Sequence, residues 1–341
     1  MKSAFLVEPG SIELRDVPIP RPDAGELIIK ITAALTCGTD LKAFRRGHPK
    51  MPMPTPFGHE FSGIVVDAGA SVNGYHEGDP VMTVHTAPCG ECYYCRRQKE
   101  NLCEDTMRNM LLGAYSEYIK LPSRVVKSNS FHKPSELSFE EAAFLEPLAC
   151  VVHGMEPLNL LPEDTVLIIG AGAIGLLHLL SLRAKGISNI VVAGKHAERL
   201  KLAEALGAKS LIDAGARNTF EVVRALTGDF GANWVFECTG RPEVWELSFS
   251  LAARGGTVIF FGGCPTGTSV TFDTARFHYD EISVVSPFHF TPRDVQKSYQ
   301  LLAERQIDAR PLISGHYPLT DLEHAFDRLK DGHGIKFAIQ P

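Results

Sequence analysis

Long apolar segments are absent from the sequence. No run reaches the ~18 apolar residues that span a bilayer. The N-terminal segment, which begins Met1-Lys2-Ser3, also lacks the roughly 7 to 15 apolar residues of a secretory signal. We therefore expect a soluble protein located in the cytoplasm.

An excess of charge of one sign is absent as well. Lysine and arginine together number 34 and aspartate and glutamate number 40, so the net charge is −6. This balance argues against a surface that binds nucleic acid or an anionic membrane. Repeats of about 20 to 50 residues and low-complexity tracts are also lacking, which excludes solenoids and linkers.

The pattern of apolar residues divides the 341-residue chain into two parts, and 44% apolar composition suffices for two cores. Up to about residue 150, short β-type runs such as 27–31 and 63–66 alternate with Gly and Pro turns, which predicts a compact β-rich domain. From residue 165, strands and helices alternate, which is typical of a doubly wound parallel sheet. The predicted fold class is therefore α/β.

Periodicity predicts the individual elements of the second part. The predicted strands are 166–169, 190–193, 211–212, 234–236, 257–261, 282–285 and 335–339. The predicted helices are 173–184, 197–206, 220–226, 242–253, 294–304 and a last helix that Thr320 caps at its N-terminus.

A glycine motif follows the first of these strands and precedes an amphipathic helix, and it reads Gly-Ala-Gly-Ala-Ile-Gly. Gly170 permits a tight turn, Gly172 lets the backbone approach a pyrophosphate, and Gly175 lets the helix pack close to the strand. Together with Ala173 and Ile174, these glycines predict a dinucleotide-binding loop. The alternative is a glycine-rich turn without a ligand.

The end of the second strand indicates which dinucleotide binds. NAD-binding folds place an acidic residue there to hold the ribose diol, whereas this chain has Gly194 followed by Lys195. A small residue followed by cations leaves room and charge for a 2′-phosphate. We therefore predict NADP in preference to NAD, with Lys195 and Arg199 as phosphate contacts. The alternative is that both side chains belong to a solvated helix start.

Half of the eight cysteines lie close together in the sequence, at Cys89, Cys92, Cys95 and Cys103. Reducing compartments keep thiols free, and four thiolates at this spacing are typical of a closed tetrahedral zinc site. We predict a structural zinc that stabilises a lobe at about residues 88–104. Free thiols or disulfides are the alternative.

A second set of candidate ligands is dispersed along the chain and comprises Cys37, the pair His59-Glu60 and Glu146. Taken singly these residues predict little, because a lone cysteine or histidine usually belongs to the core or the surface. The remaining cysteines are predicted to be buried, and they are Cys150, Cys238 and Cys264.

In their order along the chain, the Gly-His-Glu at 58–60, the four cysteines, the Glu-Pro-Leu at 146–148 and the glycine loop resemble the zinc-dependent medium-chain dehydrogenase/reductase family. The sorbitol and threonine dehydrogenase branches are the most similar, and the resemblance covers essentially the whole chain. It implies a GroES-like catalytic domain of residues 1–150 and 288–341, a Rossmann domain of residues 151–287, and an active site in the cleft between them.

The resemblance also implies roles for the dispersed residues. Cys37 and His59 would bind a catalytic zinc, Glu60 would bind it or exchange with water, and Glu146 would stand where alcohol dehydrogenases have a third cysteine. A carboxylate in place of a thiolate makes the metal a stronger Lewis acid. Asp40 would orient His59, or it would instead cap the local loop.

A proton relay is also implied by the resemblance. Thr39 matches the hydroxyl that starts the relay of the family, but Lys42 stands where many relatives have the histidine that completes it. The exit route of the proton therefore stays open. Residues near the positions that line the substrate cleft of the family, with packing or a surface loop as the alternative role, are His48, Phe57, Phe288 and His289.

The activity that follows is hydride transfer between a nicotinamide cofactor and a secondary alcohol of a polyol or sugar, in either direction, with two zinc ions per chain. L-threonine 3-dehydrogenase activity is the alternative within the same class. A non-enzymatic zinc module that binds a partner is the alternative from another class, and the net charge and the glycine loop argue against it. We expect a small-molecule alcohol as substrate and a homodimer or homotetramer joined through an edge strand at residues 282–285.

Overall fold

A computed structural model describes residues 1–48 and 51–341. Within these residues the chain forms two compact units. The first comprises Met1–Cys150 and His289–Pro341, and the second comprises Val151–Phe288. In the same ranges, no helix has both the length and the apolar composition needed to cross a membrane.

Strands occur along the whole chain. They are β1 (Lys2–Glu8), β2 (Ser11–Asp16), β3 (Leu27–Leu35), β4 (Thr55–Pro56), β5 (Phe61–Ala68), β6 (Pro80–Thr83), β7 (Tyr118–Leu121), β8 (Ser130–His132), β9 (Val166–Ile169), β10 (Ile190–Gly194), β11 (Ser210–Asp213), β12 (Ala232–Glu237), β13 (Ala252–Phe260), β14 (Ser283–Val285), β15 (Ile313–Pro318) and β16 (Lys336–Gln340).

Helices are concentrated in the second half of the chain. They are α1 (Gly38–Arg46), α2 (Ser123–Asn129), α3 (Phe139–Ala142), α4 (Leu145–Met155), α5 (Ala173–Ala184), α6 (Ala197–Ala205), α7 (Thr219–Leu226), α8 (Pro242–Leu251), α9 (Thr274–Tyr279), α10 (Pro292–Ala303) and α11 (Leu322–Lys330). Short 3-10 helices lie at Cys95–Arg97, Glu100–Leu102, Arg310–Leu312 and Leu319–Asp321.

The first unit is built around the long strand β3. This strand is rich in Leu, Ile and Ala, nearly all of them buried, and it pairs antiparallel with β5, β7 and β16. The larger sheet has the order β15-β16-β3-β5-β6-β8, and a smaller sheet has the order β2-β1-β4. The predicted β-rich character of this part of the chain is confirmed.

The end of the chain belongs to the first unit through β16, in which Ala338 lies opposite Leu35 and Ile339 lies opposite Ala34 of β3. The prediction that Thr320 caps the last helix is wrong. Thr320 lies within the 3-10 helix Leu319–Asp321, and its hydroxyl contacts the Asp321 carboxylate at 3.2 Å. Helix α11 therefore begins one residue later than predicted, at Leu322, with Asp321 as its N-cap residue.

The second unit contains one parallel sheet of order β11-β10-β9-β12-β13-β14. The predicted doubly wound α/β class is confirmed. Helix α5 has the predicted bounds, whereas α8 ends at Leu251 because the next residue already begins β13. Strand β14 lies at one end of the sheet, at the predicted edge position.

The turn between β9 and α5 depends on two of the motif glycines. Gly170 has φ +114°, a left-handed conformation that glycine adopts without strain, and its N–H donates to Ala193 O at 2.8 Å. A Cβ at Gly175 would lie 1.9 Å from the Gly170 carbonyl oxygen. The turn therefore requires glycine at both ends, as the motif predicts.

Candidate metal centres and cofactor site

The four clustered cysteines converge on one point of the first unit. Their sulfur atoms lie 3.9 Å apart for Cys89 and Cys95, 3.5 Å for Cys92 and Cys95, and 3.6 Å for Cys103 and Cys89. A tetrahedral zinc with Zn–S bonds of ~2.3 Å has sulfur atoms ~3.8 Å apart. The spacing of these sulfur atoms therefore fits one zinc ion.

The local backbone favours thiolates in this cluster. The N–H of Cys89 donates to the Cys103 sulfur and the N–H of Cys92 donates to the Cys89 sulfur, each at 3.3 Å. Although burial opposes ionisation, such hydrogen bonds lower the pKa of Cys103 to about 6. Burial and the neighbouring Cys92 and Cys103 sulfurs raise the pKa of Cys95 to about 12. Four thiolates so close together require a cation, and zinc would supply it.

A second donor cluster brings together Cys37, His59 and Glu60, whose ligand atoms lie within 4.8 Å of one another. Cys37 is the N-cap residue of α1, where its sulfur accepts the N–H of Thr39 at 3.4 Å. Burial and the charge of Glu60 raise the pKa of Cys37, and this buried thiol therefore needs a cation nearby to ionise.

His59 is held by a buried carboxylate. Its Nδ1 lies 3.0 Å from Oδ1 of Asp40, and Oδ2 of Asp40 accepts the Tyr115 hydroxyl at 2.8 Å. This contact confirms the predicted pairing of Asp40 with His59. Burial alone would lower the pKa of His59, but the charges of Asp40 and Cys37 outweigh it and raise the pKa well above 6.5. With Nδ1 bonded to Asp40, Nε2 is the ring nitrogen left for a metal.

Glu60 is buried, and only one of its two carboxylate oxygens has a hydrogen-bond partner. Its Oε2 accepts a hydrogen bond from the Lys336 ammonium at 2.5 Å, and the same ammonium donates to the Thr36 carbonyl at 2.8 Å. Its Oε1 is buried and makes no hydrogen bond. An unsatisfied buried carboxylate oxygen is costly, so its position beside Cys37 and His59 fits a cation ligand.

Glu146 is positioned differently from the expectation that it joins Cys37 and His59. It lies in the first turn of α4, and its carboxylate groups with His85 and His289, the three ligand atoms being within 4.8 Å of one another. Burial raises the pKa of Glu146 to about 7. The charge of His59 opposes this increase, and the charge of Glu60 adds to it.

The residues predicted to surround the site fall into several environments. Thr39 is exposed and Lys42 is half-buried on α1, whereas Phe57 is fully buried and packs against Tyr115 and Phe326 in the core. Its role is therefore packing. His48 forms an isolated β-bridge with Met51, and Phe288 is exposed. The cysteines predicted to be buried are half-buried, and they are Cys150, Cys238 and Cys264. Burial raises the pKa of Cys150 and of Cys238 well above 9.

The loop after β9 is open at its middle glycine. A Cβ at Gly172 would meet nothing within 4 Å. Gly194 ends β10, Lys195 is exposed beside it, and Arg199 lies half-buried on α6. The Nε of Arg199 is buried without a hydrogen-bond partner, and burial lowers the pKa of this guanidinium. A guanidinium with an unsatisfied nitrogen fits a phosphate group.

Sequence reasoning missed two residues of the first unit. His85 follows β6 and touches the His59 ring, with ring centroids 5.0 Å apart, and Lys336 of β16 pairs with Glu60. Both residues reach the cluster only through the antiparallel pairing of strands that are distant in the sequence. No local motif marks either residue.

A parallel dinucleotide-type sheet together with a β-rich unit that carries two zinc-type donor clusters defines the class of zinc-binding dehydrogenases. Residues 23–130 match the alcohol dehydrogenase GroES-like domain, and residues 173–304 match the zinc-binding dehydrogenase domain. The chain belongs to the zinc-dependent medium-chain dehydrogenase/reductase family.

Similar proteins extend along the whole chain. A D-arabitol-phosphate dehydrogenase of Enterococcus avium is 32% identical over 100% of this chain and 97% of its own length. A sorbitol dehydrogenase of Bacillus subtilis is 28% identical over 96% of this chain and 93% of its own length. An L-threonine 3-dehydrogenase of Bacillus velezensis is 31% identical over 96% of this chain and 95% of its own length.

A solved structure shows that the fold is also similar over the whole chain. The crystal structure of a zinc-binding dehydrogenase from Sinorhizobium meliloti bound to NADP is 30% identical. It superimposes with a TM-score of 0.89 over 100% of this chain and 99% of that one. The chain is therefore an oxidoreductase of the zinc-containing alcohol and polyol dehydrogenase type.

Proposed function

We propose that the protein oxidises a secondary alcohol of a polyol or sugar with a nicotinamide cofactor, or reduces the corresponding ketone. The observation that carries this proposal is the buried cluster of Cys37, His59 and Glu60, in which a thiol, an imidazole and an unsatisfied carboxylate oxygen meet. Support also comes from the similar D-arabitol-phosphate and sorbitol dehydrogenases.

Zinc and a nicotinamide cofactor would supply the chemistry. Zinc would act as a Lewis acid on the substrate oxygen, and the nicotinamide would accept or donate the hydride. Cys37, His59 and Glu60 would hold the catalytic zinc, and the four-cysteine lobe would hold a structural one. We propose two zinc ions per chain on this basis.

Other residues of the chain position the zinc donors and transfer the proton of the substrate alcohol. Asp40 fixes the His59 ring through Nδ1, and Lys336 fixes one oxygen of Glu60 so that the other faces the cluster. The Thr39 hydroxyl would relay the proton of the substrate alcohol, accepting it while releasing its own proton to solvent, because Thr39 follows Cys37 by two residues at the exposed start of α1.

NADP is the proposed cofactor in preference to NAD. The glycine loop of residues 170–175 would cradle the pyrophosphate, with the N-terminus of α5 behind it. Gly194 leaves no carboxylate to hold a ribose diol. Lys195 and the unpaired Nε of Arg199 would bind the 2′-phosphate. The similarity to a structure bound to NADP supports this choice.

The proposed setting is the cytoplasm, because a four-thiolate site such as that of Cys89, Cys92, Cys95 and Cys103 requires reducing conditions. The proposed assembly is a homodimer or homotetramer. Its support is β14, a short strand at the end of the second sheet with Val284 exposed, which leaves an edge open to a second copy.

A substrate panel tests the function. We would assay zinc-loaded protein with sorbitol, arabitol, their phosphates, 2,3-butanediol and L-threonine, each with NADP and NAD, and measure kcat/KM. Polyol oxidation that stops when a chelator removes zinc is the expected result. Turnover confined to L-threonine would assign the second activity of the class, for which the Bacillus velezensis relative is the reason. Absence of turnover with every alcohol would refute the proposal.

A further inference from the structure

We infer that Glu237 is a positioning residue for the nicotinamide half of the dinucleotide. Its carboxylate holds two loops in one arrangement, the β12 loop (residues 238–240) and the β13 loop (residues 261–263), which follow the strands of those names. The inference rests on the proposed nicotinamide cofactor and adds a residue that lies outside the glycine motif. Glu237 is fully buried, so it acts through these loops.

The carboxylate of Glu237 accepts hydrogen bonds from three donors of the β12 loop. Its Oε1 accepts the N–H of Thr239 at 2.7 Å, the N–H of Gly240 at 3.1 Å and the hydroxyl of Thr239. Its Oε2 accepts the same N–H of Gly240 at 3.2 Å. The negative charge of a carboxylate strengthens such bonds. The β12 loop is therefore tied to this one side chain.

The buried charge and the β12 loop stabilise each other. Burial raises the pKa of Glu237, whereas the hydrogen bonds from Thr239 and Gly240 lower it. A carboxylate removed from water is costly unless hydrogen bonds replace its hydration. The loop supplies these bonds, and an uncharged side chain at position 237 would leave its donors with a weaker acceptor.

The β13 loop is attached to the same glutamate. The N–H groups of Phe261 and Gly262 donate to the Glu237 carbonyl at 3.0 and 2.9 Å. A Cβ at Gly262 would lie 2.9 Å from Glu237 Oε2 and 2.2 Å from Gly240 N, so the two loops meet beside the carboxylate. The indole N–H of Trp245 also donates to the Gly262 carbonyl, at 3.0 Å. A change at the carboxylate would therefore affect both loops.

The strand order places both loops beside the second half of a dinucleotide. The order β11-β10-β9-β12-β13-β14 reverses between β9 and β12. In such sheets a dinucleotide lies across the carboxyl ends of the strands at the reversal, with one mononucleotide on each side. The half formed by β9, β10 and β11 precedes the glycine loop and the proposed 2′-phosphate contacts. The ends of β12 and β13 are thus left for the nicotinamide mononucleotide.

The β12 loop lies directly against the glycine loop. The N–H of Cys238 donates to the Ile169 carbonyl at 2.9 Å, and a Cβ at Gly170 would lie 3.1 Å from Thr239 Cγ2. A shift of Thr239 would therefore change the surface beside the proposed pyrophosphate turn. A loop that is already ordered loses less entropy on binding, so Glu237 would favour the dinucleotide without touching it.

A whole dinucleotide and a fragment of it test the inference. NADP would occupy both halves of the sheet, whereas adenosine 2′,5′-bisphosphate would occupy only the half with the glycine loop. In Glu237→Gln, calorimetric titration should show NADP bound roughly tenfold more weakly and the fragment bound as in the wild type. A general loss of structure would weaken both ligands. If the wild type prefers NAD, then NAD and AMP replace this pair.

Two further variants and one further measurement locate the effect. Thr239→Val removes one donor and keeps the buried charge, so it should weaken NADP binding a few-fold and keeps the test valid if Glu237→Gln folds poorly. Glu246→Gln is the matched control, because Glu246 also accepts a main-chain N–H, that of Thr271 at 2.8 Å, and both affinities should stay unchanged. In the free protein, hydrogen exchange at the amides of Thr239 and Gly240 should be roughly tenfold faster in Glu237→Gln.

The outcomes separate the inference from the proposed function. If the wild type binds neither NADP nor NAD, the proposed function fails and the inference fails with it. If the wild type binds a dinucleotide and Glu237→Gln binds it equally well, only the role of Glu237 is refuted. The same holds if the variant loses dinucleotide and fragment to the same extent, because the change would then act on the unit as a whole.

Discussion

His59 Nδ1 donates to Asp40 Oδ1 across 3.0 Å, and both side chains are buried. The second carboxylate oxygen of Asp40 is occupied by the Tyr115 hydroxyl, so the carboxylate cannot rotate away from the imidazole. The orientation of His59 Nε2 toward Cys37 and Glu60 is thus determined by a residue that binds no metal itself.

We predict that Asp40→Asn weakens zinc binding at the Cys37 cluster by roughly 10- to 100-fold, the effect common for groups that support metal-bound histidines. The amide removes the negative charge that favours a proton on Nδ1. A competition titration with a chromophoric chelator measures the affinity. Tyr115→Phe is the control and should have a smaller effect, because Asp40 keeps its charge. Wild-type affinity in a folded Asp40→Asn protein would contradict the prediction.

We predict that Cys95→Ser lowers the zinc content of the protein by one ion per chain. Its sulfur contacts those of Cys89 and Cys92, and a serine hydroxyl does not replace a thiolate as a zinc ligand. The melting temperature should also fall, because a structural zinc site contributes folding free energy. Cys264→Ser, outside the cluster, should keep both ions, and an equal loss of zinc in both variants would count against the structural site.

We predict that Arg199→Ala and Lys195→Ala each weaken NADPH binding by roughly tenfold and NADH binding by much less. Each side chain would donate to the 2′-phosphate, and hydrogen bonds to charged groups contribute about 1.5–3 kcal/mol. Fluorescence titration with each cofactor gives the dissociation constants without turnover. Lys201→Ala on the same helix is the matched control. Equal losses for both cofactors would show that the residues do not recognise the phosphate.

We predict that His178 makes the second unit sensitive to acid. Both ring nitrogens are buried without partners, the ring lies between Phe236 and Phe261, and burial lowers its pKa from 6.5 to about 3. Below pH 6.5 the His178 ring therefore binds a proton in the unfolded chain, whereas in the folded chain it stays neutral down to about pH 3. Between pH 8 and pH 5 this difference removes about 2 kcal/mol from the free energy of unfolding.

Urea unfolding of the wild type and of His178→Leu at the two pH values measures this effect. The variant should lose less stability on acidification, by about 2 kcal/mol, because leucine does not bind a proton. Comparison of the two proteins at each pH cancels the loss of zinc, which affects both equally. Parallel losses would mean that His178 is not the group responsible.

The features that depend on local geometry could be predicted from local signals in the sequence. The glycine turn and the bounds of α5 follow from residues that are neighbours in the chain, and so does the convergence of Cys89, Cys92 and Cys95. The pairing of Asp40 with His59 was accessible through the family resemblance.

The features that depend on distant strand pairing could not be predicted in this way. Glu146 joins His85 and His289 because α4, the segment after β6 and the start of the C-terminal part meet in space. Lys336 reaches Glu60 because β16 pairs with β3. The N-cap of α11 was mispredicted for a smaller reason, since a 3-10 turn shifts the helix start and both Thr320 and Asp321 are good caps.

The ion pair between Glu60 and Lys336 has a consequence for synthesis of the protein. The two partners are 276 residues apart in the chain, so a ribosome completes Glu60 long before it adds the lysine that neutralises one of its carboxylate oxygens. Until Lys336 is available, water must hydrate that carboxylate. A stop codon between the two positions and just before Lys336 would therefore yield a polypeptide that retains Cys37, His59 and Glu60 but lacks the charge that positions Glu60.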